Sequence, residues 1–464
     1  MNNEDTICAV ATGKGGAIGI IRVSGKDAIK ITDKIFTTAS KTKQPLAEHE
    51  ANTITYGRIT NGDQQIDDVL VSLFRAPHSY TGEDSTEISC HGSTYIQQQV
   101  MQLLIDNGCR SAQPGEFTRR AFLNGKIDLS QAEAVADLIA STSATTHRMA
   151  MSQMRGGISI RLASLREKLL KLTSLLELEL DFSDHEELEF ADRGELRETA
   201  NGISDEISKL ASTFSIGNAI KNGVPVAIIG ETNAGKSTLL NALVGEDRAI
   251  VSDIHGTTRD VIEDTVNIGG TTFRFIDTAG IRDTSDTIER LGIERTFKKI
   301  SQADIVIWMI DATAQCADMT ETSEKIIPLC KDKQLILAYN KTDIANQPLR
   351  MVIDKLPLQT HEINISAKYG TNIDRLRQML VTAAGIHAIP QDDVVITNIR
   401  HYEALTIAHD AISRVIQGLD NNLPSDLIAQ DLRDCLHHLA EITGGEITSE
   451  ETLQNIFKHF CIGK

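Results

Sequence analysis

The apolar positions of this chain change period as it proceeds. Over the first ninety or so residues, short apolar runs alternate with turn formers: ICAVAT, the glycine loop GKGG, AIGIIRVSG, then NTITYGRI and DDVLVSLF around Asn61-Gly62, and STEISCHG. Each run has the length and bounding residues of a β-strand. Tyr95–Asn107 has helical spacing. An α+β module of about five strands over residues 1–122 is the expectation. Its Gly13–Gly16 loop lacks the GK[ST] ending of a phosphate loop and reads as a turn.

From Asp128 the period becomes helical, in LSQAEAVADLIAST. Leu162, Leu165, Leu169, Leu172 and Leu176 follow, alternately three and four apart. That spacing makes an a/d seam, which packs a helix on partner helices along most of its length. The acidic run DFSDHEELEFADRGELRE reads as a solvated face. Helical periods return after about residue 380, in HYEALTIAHDAISRVI, DLIAQDLRDCLHHLAEI and SEETLQNIFKHF, the last with Ser449 at its start. One helical bundle built from residues 123–215 and 380–464, with residues 216–379 inserted, is the economical architecture. An insertion needs close termini, which an α/β domain provides. The fold expected is therefore multidomain α/β: an α+β N-terminal domain, a helical bundle from two chain segments, and an inserted Ras-like P-loop domain with a mostly parallel sheet.

The inserted segment carries the chemistry. The apolar run Val224–Ile229 ends in G-x-x-x-x-G-K-S, with Gly230, Gly235, Lys236 and Ser237 at the fixed positions. Loop amides and the positive end of the next helix suit phosphate, Lys236 the outer phosphates, and the Ser237 hydroxyl Mg²⁺. Asn233, Ala234 and Thr238 complete the loop. In the segment Ser252, Asp253, Ile254, His255, Gly256 and Thr257, Thr258 follows as a second hydroxyl for Mg²⁺. The strand TTFRFI runs into Asp277, Thr278, Ala279 and Gly280, a metal-shell acid and a γ-phosphate sensor. After QLILAY stand Asn340, Lys341, Thr342 and Asp343; the carboxylate in N-K-x-D accepts two hydrogens from guanine that adenine does not offer. Ser366, Ala367 and Lys368 follow HEINI and would close over the base. Five motifs in this order, each beside a strand or loop of the right kind, point to a GTPase.

Ras-like enzymes orient the attacking water with a glutamine after D-T-A-G; here Ile281 stands there and can neither donate nor accept. Two devices could replace it. Asn233, with carbonyls of Ser252–Thr257, could hold a monovalent cation that neutralises developing charge. An acid in IRDTSDTIERLG, Glu289, could orient water, although a solvated helix start explains it as well.

Composition narrows the setting. Seven scattered cysteines without CxxC pairs suit a reducing, cytoplasmic compartment, and no apolar run spans a membrane. A net charge of −18 argues against coating nucleic acid by bulk electrostatics, while leaving room for RNA at a local basic patch.

The chain resembles the tRNA-modification GTPase family called MnmE or TrmE over essentially its whole length. The motifs are SYTGEDSTEISCHG, PGEFTRRAFLNGKIDLSQAEAVADLI, GETNAGKST, DIHGTTRD, DTAGIRDTSDTIERLGIER, NKTD and the terminal FCIGK. The resemblance implies a folate-binding, dimerising N-terminal domain and a homodimer. It also implies a flavin-dependent partner (MnmG, or GidA) with which a heterotetramer forms. Together these install an aminomethyl-type group on C5 of the tRNA wobble uridine, with a tetrahydrofolate derivative as one-carbon donor. It implies K⁺-dependent GTP hydrolysis, with K⁺ ligands at Asn233, Ser252, Ile254 and Thr257, Mg²⁺ ligands at Ser237 and Thr258, and Glu289 as catalytic acid. Folate contacts fall on Arg22, Glu87, Lys126 and Lys464. Cys461 is read as a small buried hydrophobe, with thiol chemistry near folate as the alternative. The chain departs from the family at Glu231-Thr232, in ATGKGGAIG, and at Ser93. The competing class is a ribosome-assembly GTPase switch; such proteins commonly carry a basic RNA-binding appendage, and the C-terminal stretch has no basic GXXG loop.

Overall fold

A computed structural model describes residues 5–13, 15–39, 44–181, 193–231, 233–245, 264–276, 299–313, 323–324, 326–345, 360–385, 394–445, 453, 456–458 and 460–463. The chain divides into two compact units. One comprises Met1–Ile139, Gln153–Glu167 and Leu436–Lys464; the other comprises Ala140–Ser152 and Lys168–Cys435.

The first unit is built on a seven-stranded sheet. Its strands are β1 (Ile7–Val10), β2 (Ile18–Ser24), β3 (Phe36–Thr38), β4 (Thr53–Asn61), β5 (Gln64–Phe74), β6 (Ser85–His91) and β7 (Arg110–Ser111), in the order β3-β4-β5-β6-β2-β1-β7. All neighbours are antiparallel except β1 and β7. Alternation works as a half-buried strand requires: Asp67, Val69, Val71 and Leu73 of β5 are buried, while Asp68 and Leu70 between them are exposed. The buried side packs on helices α1 (Ala28–Ile35) and α2 (Thr94–Asp106). The sheet has two strands more than the sequence pattern predicts. Strands β3 and β7, of three and two residues, are too short for a period-2 signal to develop. Helices α3 (Glu116–Leu123) and α4 (Leu129–Ala140) follow.

The second unit holds a six-stranded sheet of order β13-β12-β11-β8-β10-β9, from β8 (Val224–Gly230), β9 (Asp264–Ile268), β10 (Thr271–Phe275), β11 (Ile305–Asp311), β12 (Gln334–Asn340) and β13 (Thr360–Asn364). It is parallel except for the β9–β10 pair at one edge. Strand β11 is buried on both faces: Ile305, Ile307 and Met309 join one core, and Val306, Trp308 and Ile310 the other. That accounts for its unbroken apolar run.

Helix α5 (Ala144–Met154) leads to α6 (Gly157–Asp181), which carries the leucine seam. All five seam leucines are at most 4% exposed. Within the second unit, α7 (Arg193–Ser212) packs along a helix from the other flank of the chain, Ile399–Asp420. Arg197 Nε meets Asp420 Oδ1 at 2.7 Å. The expected helix start at Ser449 lies outside the described residues. Among the described residues no helix is long and apolar enough to cross a membrane.

Candidate functional site

Strand β8 feeds directly into a loop and then helix α8 (Lys236–Val244). Two glycines make the turn possible. Gly230 (φ 143°) lies so close to the Met309 carbonyl, and Gly235 (φ 97°) to the Asn340 side-chain amide, that a Cβ at either would collide. Asn233 is also left-handed, at φ 67°, a conformation asparagine tolerates. Lys236 Nζ donates to the carbonyls of Gly230 at 2.8 Å and Glu231 at 2.6 Å, so the lysine lies over its own loop. Burial lowers the Lys236 pKa, and the Lys299 charge lowers it further against an opposing pull from Glu231. Ser237 is half-buried and Thr238 exposed, in the first turn, where helix amides lack intrahelical partners.

One side chain joins this loop to the rest of the site. Asn340, 4% exposed at the end of β12, donates from Nδ2 to the Ala234 carbonyl at 2.8 Å. Its Oδ1 accepts from the Ala367 amide at 2.9 Å. Next to it Lys341 is left-handed (φ 65°) and reaches Asp311 Oδ2 at 2.5 Å. Burial pushes the Asp311 pKa up, but hydrogen bonds from Lys341 and Thr313 and the lysine's charge outweigh it and hold the carboxyl below its ordinary value. Thr342 Oγ1 donates to the Ile365 carbonyl at 2.9 Å, and Ser366 Oγ to Asp343 Oδ1 at 2.6 Å. Lys368 is exposed, its Nζ 5.3 Å from the Tyr369 ring centroid.

Asn233–Thr238, Asn340–Asp343 and Ser366–Lys368 thus gather beyond the C-terminal ends of β8, β12 and β13, where open parallel sheets bind ligands. The sequence pattern missed the Asn340 tie to Ala234 and the Asp311–Lys341 pair; both join residues far apart in the chain. Ser252–Thr258, Asp277–Gly280, Ile281 and Glu289 lie outside the described residues.

In the first unit Arg22 and Glu87 face each other in register across β2 and β6, with Nη2 2.8 Å from Oε1. The Arg22 guanidinium also lies 5.3 Å from the Tyr80 ring centroid and 5.7 Å from that of Phe117, and its Nη1 donates to the Gly463 carbonyl at 3.4 Å. The C-terminal residues are thereby held beside this pair, although Lys464 itself is outside the described residues. Lys126 Nζ donates to the Pro77 carbonyl at 2.9 Å, on the segment that carries Tyr80. It also lines a cleft of about 450 Å³ with Phe122, Asp128, Gln131 and Thr443–Gly445. Tyr80, whose hydroxyl bonds Thr118 Oγ1 at 2.8 Å, was not singled out by sequence reasoning, although it lies in SYTGED. Cys461 corrects an expectation. It is exposed rather than buried, because the tail is anchored through its main chain, Gly115 N donating to the Cys461 carbonyl at 3.2 Å.

A family model of the MnmE helical domain matches residues 129–461, and one described as the N-terminus of GTP-binding protein TrmE matches residues 6–126. The tRNA modification GTPase MnmE of Bacteroides fragilis (strain YCH46) is 64% identical over 467 residues, covering 100% of both chains. That of Bacteroides thetaiotaomicron is 62% identical over 467 residues, again across 100% of both. The chain belongs to the MnmE family. A solved structure of a variant of Aquifex aeolicus Era bound to GDP·AlF4⁻ also aligns, at 27% identity over 40% of this chain and 66% of that one, but its TM-score of 0.26 carries no argument. As an MnmE-family GTPase the chain is a GTP-hydrolysing enzyme.

Replacing Asn340 by alanine leaves the buried Ala234 carbonyl and Ala367 amide unpaired. At about 1–3 kcal/mol for each such group, the Kd for GDP is expected to rise at least about tenfold. Titration with a fluorescent GDP analogue measures this, and an unchanged Kd would contradict the bridging role.

Proposed function

We propose that this chain hydrolyses GTP with the help of Mg²⁺ and K⁺ and, in the cytoplasm, takes part in modifying C5 of the tRNA wobble uridine. The observation that carries the nucleotide part is the Asn340 bridge, which sets the phosphate loop beside the loop that would cover a guanine base. Full-length identity to tRNA modification GTPases supports the tRNA part.

Asn233, Ala234, Gly235, Lys236, Ser237 and Thr238 would bind the phosphates, with Ser252–Thr258 and Asp277–Gly280 around the γ-phosphate. Asn340–Asp343 and Ser366–Lys368 would hold the base. The donors suit the ions. A half-buried Ser237 hydroxyl in the first helical turn is a hard oxygen of the kind Mg²⁺ takes, with Thr258 as its partner. The exposed, left-handed Asn233 offers an amide oxygen for K⁺, with Ser252, Ile254 and Thr257. Together the ions would supply positive charge where it develops during phosphoryl transfer. Lys236 would neutralise the outer phosphates, and Glu289 would orient the water that Ile281 cannot.

Arg22, Glu87, Lys126 and Lys464 would bind a tetrahydrofolate derivative in the first unit, and the exposed Cys461 thiol would belong to the same C-terminal tail as Gly463. Arg22 lies within cation–π reach of two aromatic rings with its charge matched by Glu87, an arrangement suited to stacking and hydrogen bonding a planar heterocycle. The reading includes a homodimer, a flavin-dependent MnmG-type partner, and domains at residues 1–122, 123–215 with 380–464, and 216–379.

Depletion of the protein from cells, followed by analysis of tRNA nucleosides, tests the function. Unmodified wobble uridines with normal ribosomal subunits are expected. Intact wobble uridines with defective subunits would favour a ribosome-assembly switch instead. GTP turnover in K⁺ against Na⁺, for the native chain and Glu289→Ala, tests the chemistry. Na⁺ should depress turnover. Glu289→Ala should cut it by on the order of 10²-fold with GTP binding near normal. Indifference to either change removes that element from the mechanism.

A further inference from the structure

The helix Ser425–Thr443 carries a side-chain group that nucleotide and tRNA chemistry leave unused. His437, His438 and Glu441 place one ligand atom each within 4.8 Å of one another, all three in the first unit. At about 100° per residue, the two histidines project about 100° apart around the helix axis, and Glu441 falls between them, about 40° from His437. Leu439 and Ile442 are buried and fix the rotation of the helix, which leaves the three side chains on a partly exposed flank.

One ligand atom from each of the three residues lies close enough to the other two for a single ion, and the two histidines meet different oxygens of the Glu441 carboxylate. His437 Nε2 lies 3.4 Å from Glu441 Oε1, and His438 Nδ1 lies 3.1 Å from Glu441 Oε2. Tetrahedral zinc with bonds of about 2.1 Å has donors about 3.4 Å apart. The imidazole rings stand edge to face, with centroids 5.2 Å apart and planes at 72°, so their nitrogens can converge without the rings clashing. Two imidazoles and a carboxylate are a set that borderline divalent metals take readily.

We propose that His437, His438 and Glu441 form a binding site for a divalent transition metal, Zn²⁺ in the first instance, with water completing its coordination. The site is carried wholly by this helix. It would brace the helical end that continues into Thr443–Gly445 at the cleft beside Lys126.

The test uses the full-length chain without an affinity tag, freed of metal by a chelator and titrated calorimetrically with ZnCl₂. Sites elsewhere in the chain are accounted for by comparing the native protein with His437→Ala/His438→Ala. The native protein is expected to bind one more Zn²⁺ per chain than the double variant. Glu441→Gln, which keeps the side chain's shape, should retain the site with affinity reduced at least about tenfold. Circular dichroism checks that each variant keeps its helix content. If the double variant loses structure, the affinity change in Glu441→Gln decides. Identical zinc titrations in native and variant chains, or no binding by the native chain, would overturn the proposal and leave the group as helix-stabilising ion pairs only.

Discussion

The candidate nucleotide site depends on one buried amide. Asn340 donates to the carbonyl of Ala234 and accepts from the amide of Ala367, so two loops remote in the chain share a single side chain at 4% exposure. Only a side chain with a donor and an acceptor on one rigid plane can do both. Its backbone ends β12, a strand buried on both sides, so the plane has little freedom. Gly235 is confined by the same amide, which lies where its Cβ would be. The loop's φ values, the helix start at Lys236 and the position of Ser366 beside Asp343 are mutually consistent because Asn340 connects them.

The first unit shows a comparable economy. Arg22 is paired with Glu87 across two strands, flanked by Tyr80 and Phe117, and bonded to the carbonyl of Gly463. Residues from near both ends of the chain thus meet on one sheet. Gly463, at φ 90°, approaches the Val10 carbonyl too closely for any side chain, so the glycine of the terminal FCIGK has a steric reason. The tail's main chain is held at Gly115 and Arg22 while the Cys461 side chain is left exposed.

Much of this was legible in the sequence, and the rest was hidden for identifiable reasons. Strands β8, β11 and β12 were readable because burial on both faces writes an unbroken apolar run. The leucine seam was readable because five buried positions share one period. Strands β3 and β7 were not, since two or three residues carry no period, and their pairing is set by neighbours distant in sequence. The phosphate loop and N-K-x-D could be named from residue types alone. Their connection through Asn340 could not, because 106 residues separate Ala234 from it. Cys461 was misjudged because apolar neighbours alone do not decide burial: Ile462 beside it is 57% exposed as well.

In the proposed site Asp343 would read guanine from a loop tied down by Asn340 and Ser366. A carboxylate there would accept the guanine N1 and N2 hydrogens, whereas an amide would replace one of those acceptors by an NH2 donor that suits the 2-oxo group of xanthine. Nucleotide affinities of the Asp343→Asn protein test this most directly. The account predicts that GTP binding weakens by on the order of 10²-fold or more while xanthosine triphosphate binding strengthens. Unchanged preference for GTP would contradict it.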